Sequence, residues 1–156
     1  MRKEFAVELE KYMKNDSNII LLTADLGFGI LDSIKENLPN QFYNLGASEQ
    51  LMIGVAIGLA ESGKIPVCYS ISPFLILRPF ELLRTYVNYE SIPIKLVGSG
   101  RDKDYIHDGI SHWADDLHQY LSPLENIKCH YPTDINDIDM KDFIYNKKPY
   151  YMNLAR

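Results

Sequence analysis

Cysteine and tryptophan are nearly absent: Cys68, Cys129 and Trp113 are the only such residues among 156. Two thiols are too few for a disulfide framework, and neither has Cys or His neighbours at zinc-binding spacing, so no metal site is expected on this chain. Each thiol stands in an apolar run, which gives the expectation of buried, reduced cysteines in a cytoplasmic protein. Basic residues do not cluster, and a net charge of −5 argues against a nucleic-acid partner. Met1-Arg2-Lys3-Glu4-Phe5 carries charge without an apolar signal core. No apolar run is long enough to span a bilayer, so no membrane partner is expected. Repeats, low-complexity stretches and linkers are missing too. At 46% hydrophobic and 24% charged residues, the chain reads as soluble and globular, with one domain over residues 1–156.

Short apolar runs alternate with helical ones. Phe5, Leu9 and Met13 recur every four residues, so residues 3–14 read as an amphipathic helix. Ile19 to Ala24 is continuously apolar, as in a strand buried on both faces. A turn at Asp25-Leu26-Gly27-Phe28-Gly29 and a short helix from Ile30 to Asn37 follow. Further strands are expected at 42–45, 65–71, 94–97, 127–131 and 150–154. Further helices are expected at 50–62, 74–89 and 137–145. This alternation predicts a three-layer α/β fold, αβα, with a mostly parallel six-stranded sheet. The irregular stretch Gly98 to His112 leaves the end of the fourth strand, where open α/β sheets place ligands.

One junction stands out. Asn44-Leu45-Gly46-Ala47-Ser48-Glu49-Gln50 joins an apolar strand to a helix lined with Gly54, Ala56, Gly58 and Ala60. The Glu49 carboxylate would be poorly solvated there, and it suits a ligand that needs one strong hydrogen bond to a ring nitrogen. A glutamate in a first helical turn is also favoured by the helix dipole without binding anything. Phe74, Leu77 and Phe80 share three-residue spacing on one helix face, a pattern that core packing produces as well.

These segments, taken in order, resemble the pyrimidine-binding domain of transketolase and 1-deoxyxylulose-5-phosphate synthase. The matching pieces are Thr23-Ala24-Asp25-Leu26, then Leu45 to Gln50 with Gly54 and Gly58-Leu59-Ala60, then Ser72-Pro73-Phe74-Leu75. Asp108-Gly109-Ile110-Ser111-His112 and the closing Pro149 to Arg156 complete the set. The resemblance implies thiamine diphosphate as cofactor, with Glu49 bonded to its pyrimidine nitrogen in acid–base catalysis carried out through the cofactor. It implies that Phe74, Leu77 and Phe80 form the pocket around the pyrimidine, with Asp25 and Leu26 at the cofactor cleft. Asp108 and His112 would contact substrate hydroxyls near the reacting carbons. The family holds the diphosphate through Mg2+ on a Gly-Asp-Gly motif in another domain, and no Gly-Asp-Gly occurs in this sequence. A second subunit carrying that domain and the Mg2+ is therefore expected, assembled as a heterotetramer with two copies of each chain.

The implied reaction transfers a two-carbon ketol or acyl unit from a sugar or 2-oxo acid to an aldehyde. A 2-oxo acid decarboxylase or synthase subunit and a catalytically silent regulatory subunit are the alternatives. A plain nucleotide-binding module is disfavoured, because no Gly-rich phosphate loop follows any strand. Departures from the family concern substrate. Trp113 follows the loop histidine where transketolase has glutamine, Gly100 stands in place of a phosphate-binding histidine, and Tyr131 in place of an arginine. Arg101 is the candidate replacement cation. Arg78 is one position out of register with a deoxyxylulose synthase arginine and receives no role. An exposed apolar interface is expected around Leu51-Met52-Ile53 and Leu75-Ile76-Leu77.

Overall fold

A computed structural model describes residues 1–156. Helix α1 (Arg2–Asn15) leads into β1 (Ile19–Thr23), α2 (Asp32–Asn37), β2 (Phe42–Asn44), α3 (Glu49–Glu61) and β3 (Ile65–Ile71). Two short helices, α4 (Ser72–Leu77) and α5 (Phe80–Leu82), continue into a π-helical segment, Leu83–Tyr89. Then come β4 (Lys95–Ser99), α6 (Leu117–Leu121), β5 (Lys128–His130), α7 (Met140–Tyr145) and β6 (Tyr150–Leu154). The six strands form one sheet in the order β2-β1-β3-β4-β6-β5, and every pairing is parallel. The expected three-layer α/β architecture is thus found. No helix is long and apolar enough to cross a membrane.

The alternation of side chains along each strand explains the continuous apolar runs. Ile20, Leu22, Cys68, Leu96 and Tyr151 point to a core shared with Met52, Ile53, Leu75, Leu83 and Val87. Ile19, Leu21, Val67, Val97 and Met152 point to the opposite core, with Phe5, Leu9 and Met13 of α1 and Phe143 of α7. A strand covered on both faces has no polar side to show.

Four expectations need correction. The helix read from Phe74 to Tyr89 is broken at Arg78 and Pro79, because proline brings no N–H and its ring crowds the preceding turn. The helix expected over 137–145 begins only at Met140, after a 3-10 turn at Ile135–Asp137. Cys68 is buried, but Cys129 is exposed on the three-residue edge strand β5. The expected apolar interface is reduced to Leu51 and Leu77, since Met52, Ile53, Leu75 and Ile76 are all in the core.

Candidate active site

Strand order reverses between β1 and β3: the chain leaves β1 toward β2 and returns to the other side to form β3. Open parallel sheets bind ligands in the crevice at such a point. The loops here build a cleft of about 160 Å³. Ala24, Asp25 and Leu26 wall one side, Ile71, Phe74 and Arg78 the other, and Glu49 and Ser70 line it between them.

Glu49 enters the cleft because the turn before it is tightly held. Gly46 takes a positive φ of 72°, open to glycine at little cost. The Asn44 side-chain oxygen accepts from the backbone N–H of Gly46 at 3.0 Å and of Asp25 at 2.9 Å. That one amide ties the loops after β1 and β2 together. Asp25 itself has φ +53°, an uncommon conformation for a residue with a Cβ. α3 then begins at Glu49, whose side chain is 1% exposed. Its Oε1 accepts a hydrogen bond from the Ser70 hydroxyl on β3 at 2.8 Å. Its Oε2 accepts one from Arg78 Nη1 at 2.6 Å. The Arg78 guanidinium carbon also lies over the Phe74 ring, 3.7 Å from its centre. Phe74 and Arg78 are four residues apart at the end of α4, the spacing that brings side chains onto one helix face.

His112 joins from the other side. Its ring meets Phe74 edge-on at 4.7 Å, and its Nδ1 lies 3.0 Å from the Ser111 hydroxyl. The structure therefore gathers Glu49, Asp25, Leu26 and Phe74 in one cleft, with His112 at its margin. Three other expected site residues lie apart. Asp108 is exposed and its carboxylate has no hydrogen-bond partner. Gly109, at φ +81° and ψ −174°, separates its 3-10 turn from that of His112. Leu77 is 39% exposed and does not line the cleft. Phe80, beyond the break at Pro79, packs edge-on to Tyr120 at 6.3 Å. It borders a larger cavity of about 540 Å³ along the π-helical segment. That cavity contains no buried ionisable group, so we place the functional site at the smaller cleft. Ser70, Asn44 and Arg78 are site residues that sequence reasoning does not find. Only Arg78 carries a signal, its four-residue spacing from Phe74.

The root of the loop after β4 is locked. The Asn153 amide donates to Ser72 Oγ at 2.6 Å and to the Gly100 carbonyl at 3.0 Å, and Ser72 donates to the same carbonyl at 2.6 Å. Arg101 spends its guanidinium on Asn153 Oδ1, the Asn153 carbonyl and the Pro132 carbonyl, at 3.0, 2.6 and 2.9 Å. Gly100 has φ +88°, and a Cβ there would run into the Tyr105 ring. No side chain fits at position 100 without moving Tyr105.

Residues 1–141 match the family described as the transketolase pyrimidine-binding domain. The "Putative transketolase C-terminal section" of Methanocaldococcus jannaschii is 30% identical over all of this chain and half of its own length. One of the apulose-4-phosphate transketolase subunits, that of Actinobacillus succinogenes, is 31% identical over 80% of this chain and 40% of its own. Among solved structures, a split-gene transketolase in the form of an inactive beta4 tetramer superimposes with a TM-score of 0.86. It is 26% identical, over 99% of this chain and 51% of that one. The chain thus spans about half the length, or less, of the relatives it matches. With the switch-point cleft and its buried glutamate in place, the chain belongs to the transketolase pyrimidine-binding domain family.

Proposed function

We propose that this chain supplies the pyrimidine half of a thiamine diphosphate site in a transketolase-like transferase. The observation that carries the reading is Glu49: a buried carboxylate, fixed by Ser70 and facing a cleft beside an aromatic ring. Those residues fit an aminopyrimidine. Glu49 Oε2 already accepts from a guanidinium N–H that lies over Phe74, and a flat heterocycle with a protonated ring nitrogen has the same requirements. When bound, the cofactor supplies a nucleophilic carbon that carries a two-carbon unit from a ketose or 2-oxo acid to an aldehyde.

This chain's own residues then have defined tasks. Glu49 Oε2 holds the proton on the ring nitrogen, and Ser70 keeps the carboxylate from turning away. Phe74 offers a stacking face, while Ala24, Leu26 and Ile71 exclude water from the ring. His112, edge-on to Phe74 at the margin of the cleft, is the side chain we assign to the substrate.

Arg78, at the pyrimidine end, is the one cation that lines the cleft, and Arg101 is spent on Asn153 and Pro132, so no cation cluster for a diphosphate is present here. This supports a second polypeptide that holds the diphosphate, on our proposal through Mg2+ and in a heterotetramer with two copies of each chain. The inactive beta4 form of the split-gene relative is in keeping with activity that needs such a partner. At the substrate end, Gly100 is barred from carrying a side chain, Arg101 is engaged, and Tyr131 offers a phenol that carries no positive charge. These features favour an acceptor without a phosphate at that end. The exposed free thiol of Cys129 suits a reducing, cytoplasmic setting.

The test is calorimetric titration of thiamine diphosphate, with Mg2+, into the chain co-purified with its diphosphate-binding partner. Binding that disappears in Glu49→Ala supports the assignment. Equal binding by wild type and variant would remove Glu49 from the site.

A further inference from the structure

Glu49 and Phe74 do not stand open in the free chain: one side chain engages both. Arg78 donates to the Glu49 carboxylate at 2.6 Å and covers the Phe74 ring at 3.7 Å. A bound aminopyrimidine would need those same two surfaces, for an N–H donor and for a flat face. We propose that Arg78 is a displaceable plug of the pyrimidine site, one that the cofactor's ring must evict. This rests on the functional reading above.

Three observations support it. First, the cleft left beside the guanidinium is about 160 Å³, below the roughly 300–1,000 Å³ usual for ligand pockets. Second, the two members of the pair differ in freedom. Glu49 is 1% exposed and is anchored by Ser70, whereas the Arg78 side chain is 45% exposed and makes no hydrogen bond besides the one to Glu49. Arg78 can swing into water by side-chain rotation alone, and Glu49 cannot follow. Third, Arg78 stands directly after α4 and before Pro79, where the helix is interrupted.

The plug answers a physical problem of the free chain. A buried carboxylate without a positive partner is costly, and the site must wait for its cofactor. Arg78 covers that need while the site is empty and has only one hydrogen bond to give up. The cost appears in affinity, because a site that is open only part of the time binds more weakly by that fraction.

The experiment titrates thiamine diphosphate with Mg2+ into the co-purified complex of wild type, Arg78→Met, Arg78→Lys and Glu49→Gln, with melting temperature as a second readout. Arg78→Met is expected to bind about tenfold tighter or better, the factor lost by a site open a tenth of the time. Arg78→Lys, which keeps the charge without the flat face, falls between. Any loss of melting temperature in Arg78→Met should vanish at saturating cofactor, which a purely structural arginine would not allow. If Arg78→Met binds equally or more weakly while Glu49→Gln loses binding, the plug is refuted and the cofactor assignment stands. If no form binds, the assignment itself fails and the plug fails with it. Should Arg78→Met not fold, Arg78→Lys decides: binding tighter than wild type supports the plug, and unchanged or weaker binding refutes it.

Discussion

The lopsided burial of the Glu49–Arg78 pair predicts that its two members are unequal in stability. Substituting Arg78 by Met leaves a carboxylate that is 1% exposed with only the Ser70 hydroxyl for company. Breaking a fully buried pair from one side costs about 3–5 kcal/mol, whereas a surface pair contributes at most about 1. With one partner buried and the other 45% exposed, the cost of Arg78→Met should fall between, at about 2 kcal/mol. For a chain of this length that is roughly 4–8 °C in melting temperature. Glu49→Gln should cost less than about 1 kcal/mol, since the amide oxygen still accepts from Ser70 and the guanidinium can turn to water. The double variant should regain part of the Arg78→Met loss, a coupling of about 1 kcal/mol or more. Urea denaturation of the four proteins measures all three quantities. Arg78→Met as stable as wild type, or a double variant no better than Arg78→Met, would refute the reasoning. The link to affinity is direct, because each 1.4 kcal/mol of strain relieved on binding is about a factor of ten.

Three other predictions concern single groups. Burial lowers the Lys95 ammonium to about 8, although it donates to the Asn146 and Lys148 carbonyls. With the folded value below the unfolded one, the unfolded chain holds more protons between about 8 and 10.5, so this group's contribution to stability rises with pH there. The stability of wild type relative to Lys95→Met should therefore improve by about 2 kcal/mol between pH 7.5 and 10, and a flat difference would contradict the burial argument. Glu10 is held down to about 2, first by Lys14, then by Ser33, with Asn37 adding to it against the opposing effect of burial. Its contribution is complete above the ordinary carboxylate range and is lost as pH falls toward 2. Since Lys14 is 54% exposed, Glu10→Gln should cost only about 1 kcal/mol at pH 7, with the two denaturation curves converging near pH 2–3. Trp113→Gln in the assembled enzyme should shift preference toward phosphorylated acceptors, read as the ratio of kcat/KM for a phosphosugar and its unphosphorylated analogue. An unchanged ratio would remove Trp113 from acceptor choice.

What is legible in the sequence is whatever depends on strand periodicity or on chain order. The run Ile19 to Thr23 signals a strand covered on both faces, and its side chains do divide between two cores. The Gly46 turn and the helix after it are local signals that set Glu49 at a strand-to-helix junction, while its anchors, Ser70 and the Asn44–Asp25 tie, come from elsewhere in the chain. What fails depends on helix continuity. Phe74, Leu77 and Phe80 share a face only if the helix runs through Pro79, and it does not. The break sends Phe80 to Tyr120, while Leu77, still within α4, turns to solvent rather than into the cleft. Cys129 escapes burial because a three-residue edge strand has a neighbour on one side only. Arg78 gives little sign of its role because its partner lies 29 residues earlier in the chain, and no periodicity reports a contact across that distance.

Two arginines, Arg78 at the cleft and Arg101 at the root of the loop after β4, are held in contrasting ways. Arg101 is fixed by three acceptors, on Asn153 and Pro132, and pins the loop after β4 to β6. Removing it would free backbone carbonyls, so it belongs to the scaffold. Arg78 has one acceptor and an exposed stem, and that acceptor is the group proposed to meet the cofactor. A permanent partner for Glu49 would need the kind of multiple anchoring that Arg101 has. A site with no partner at all would leave a buried charge alone whenever the cofactor was absent. A single half-exposed arginine satisfies both constraints, and on the reading proposed above the weakness of its hold is what a cofactor would exploit.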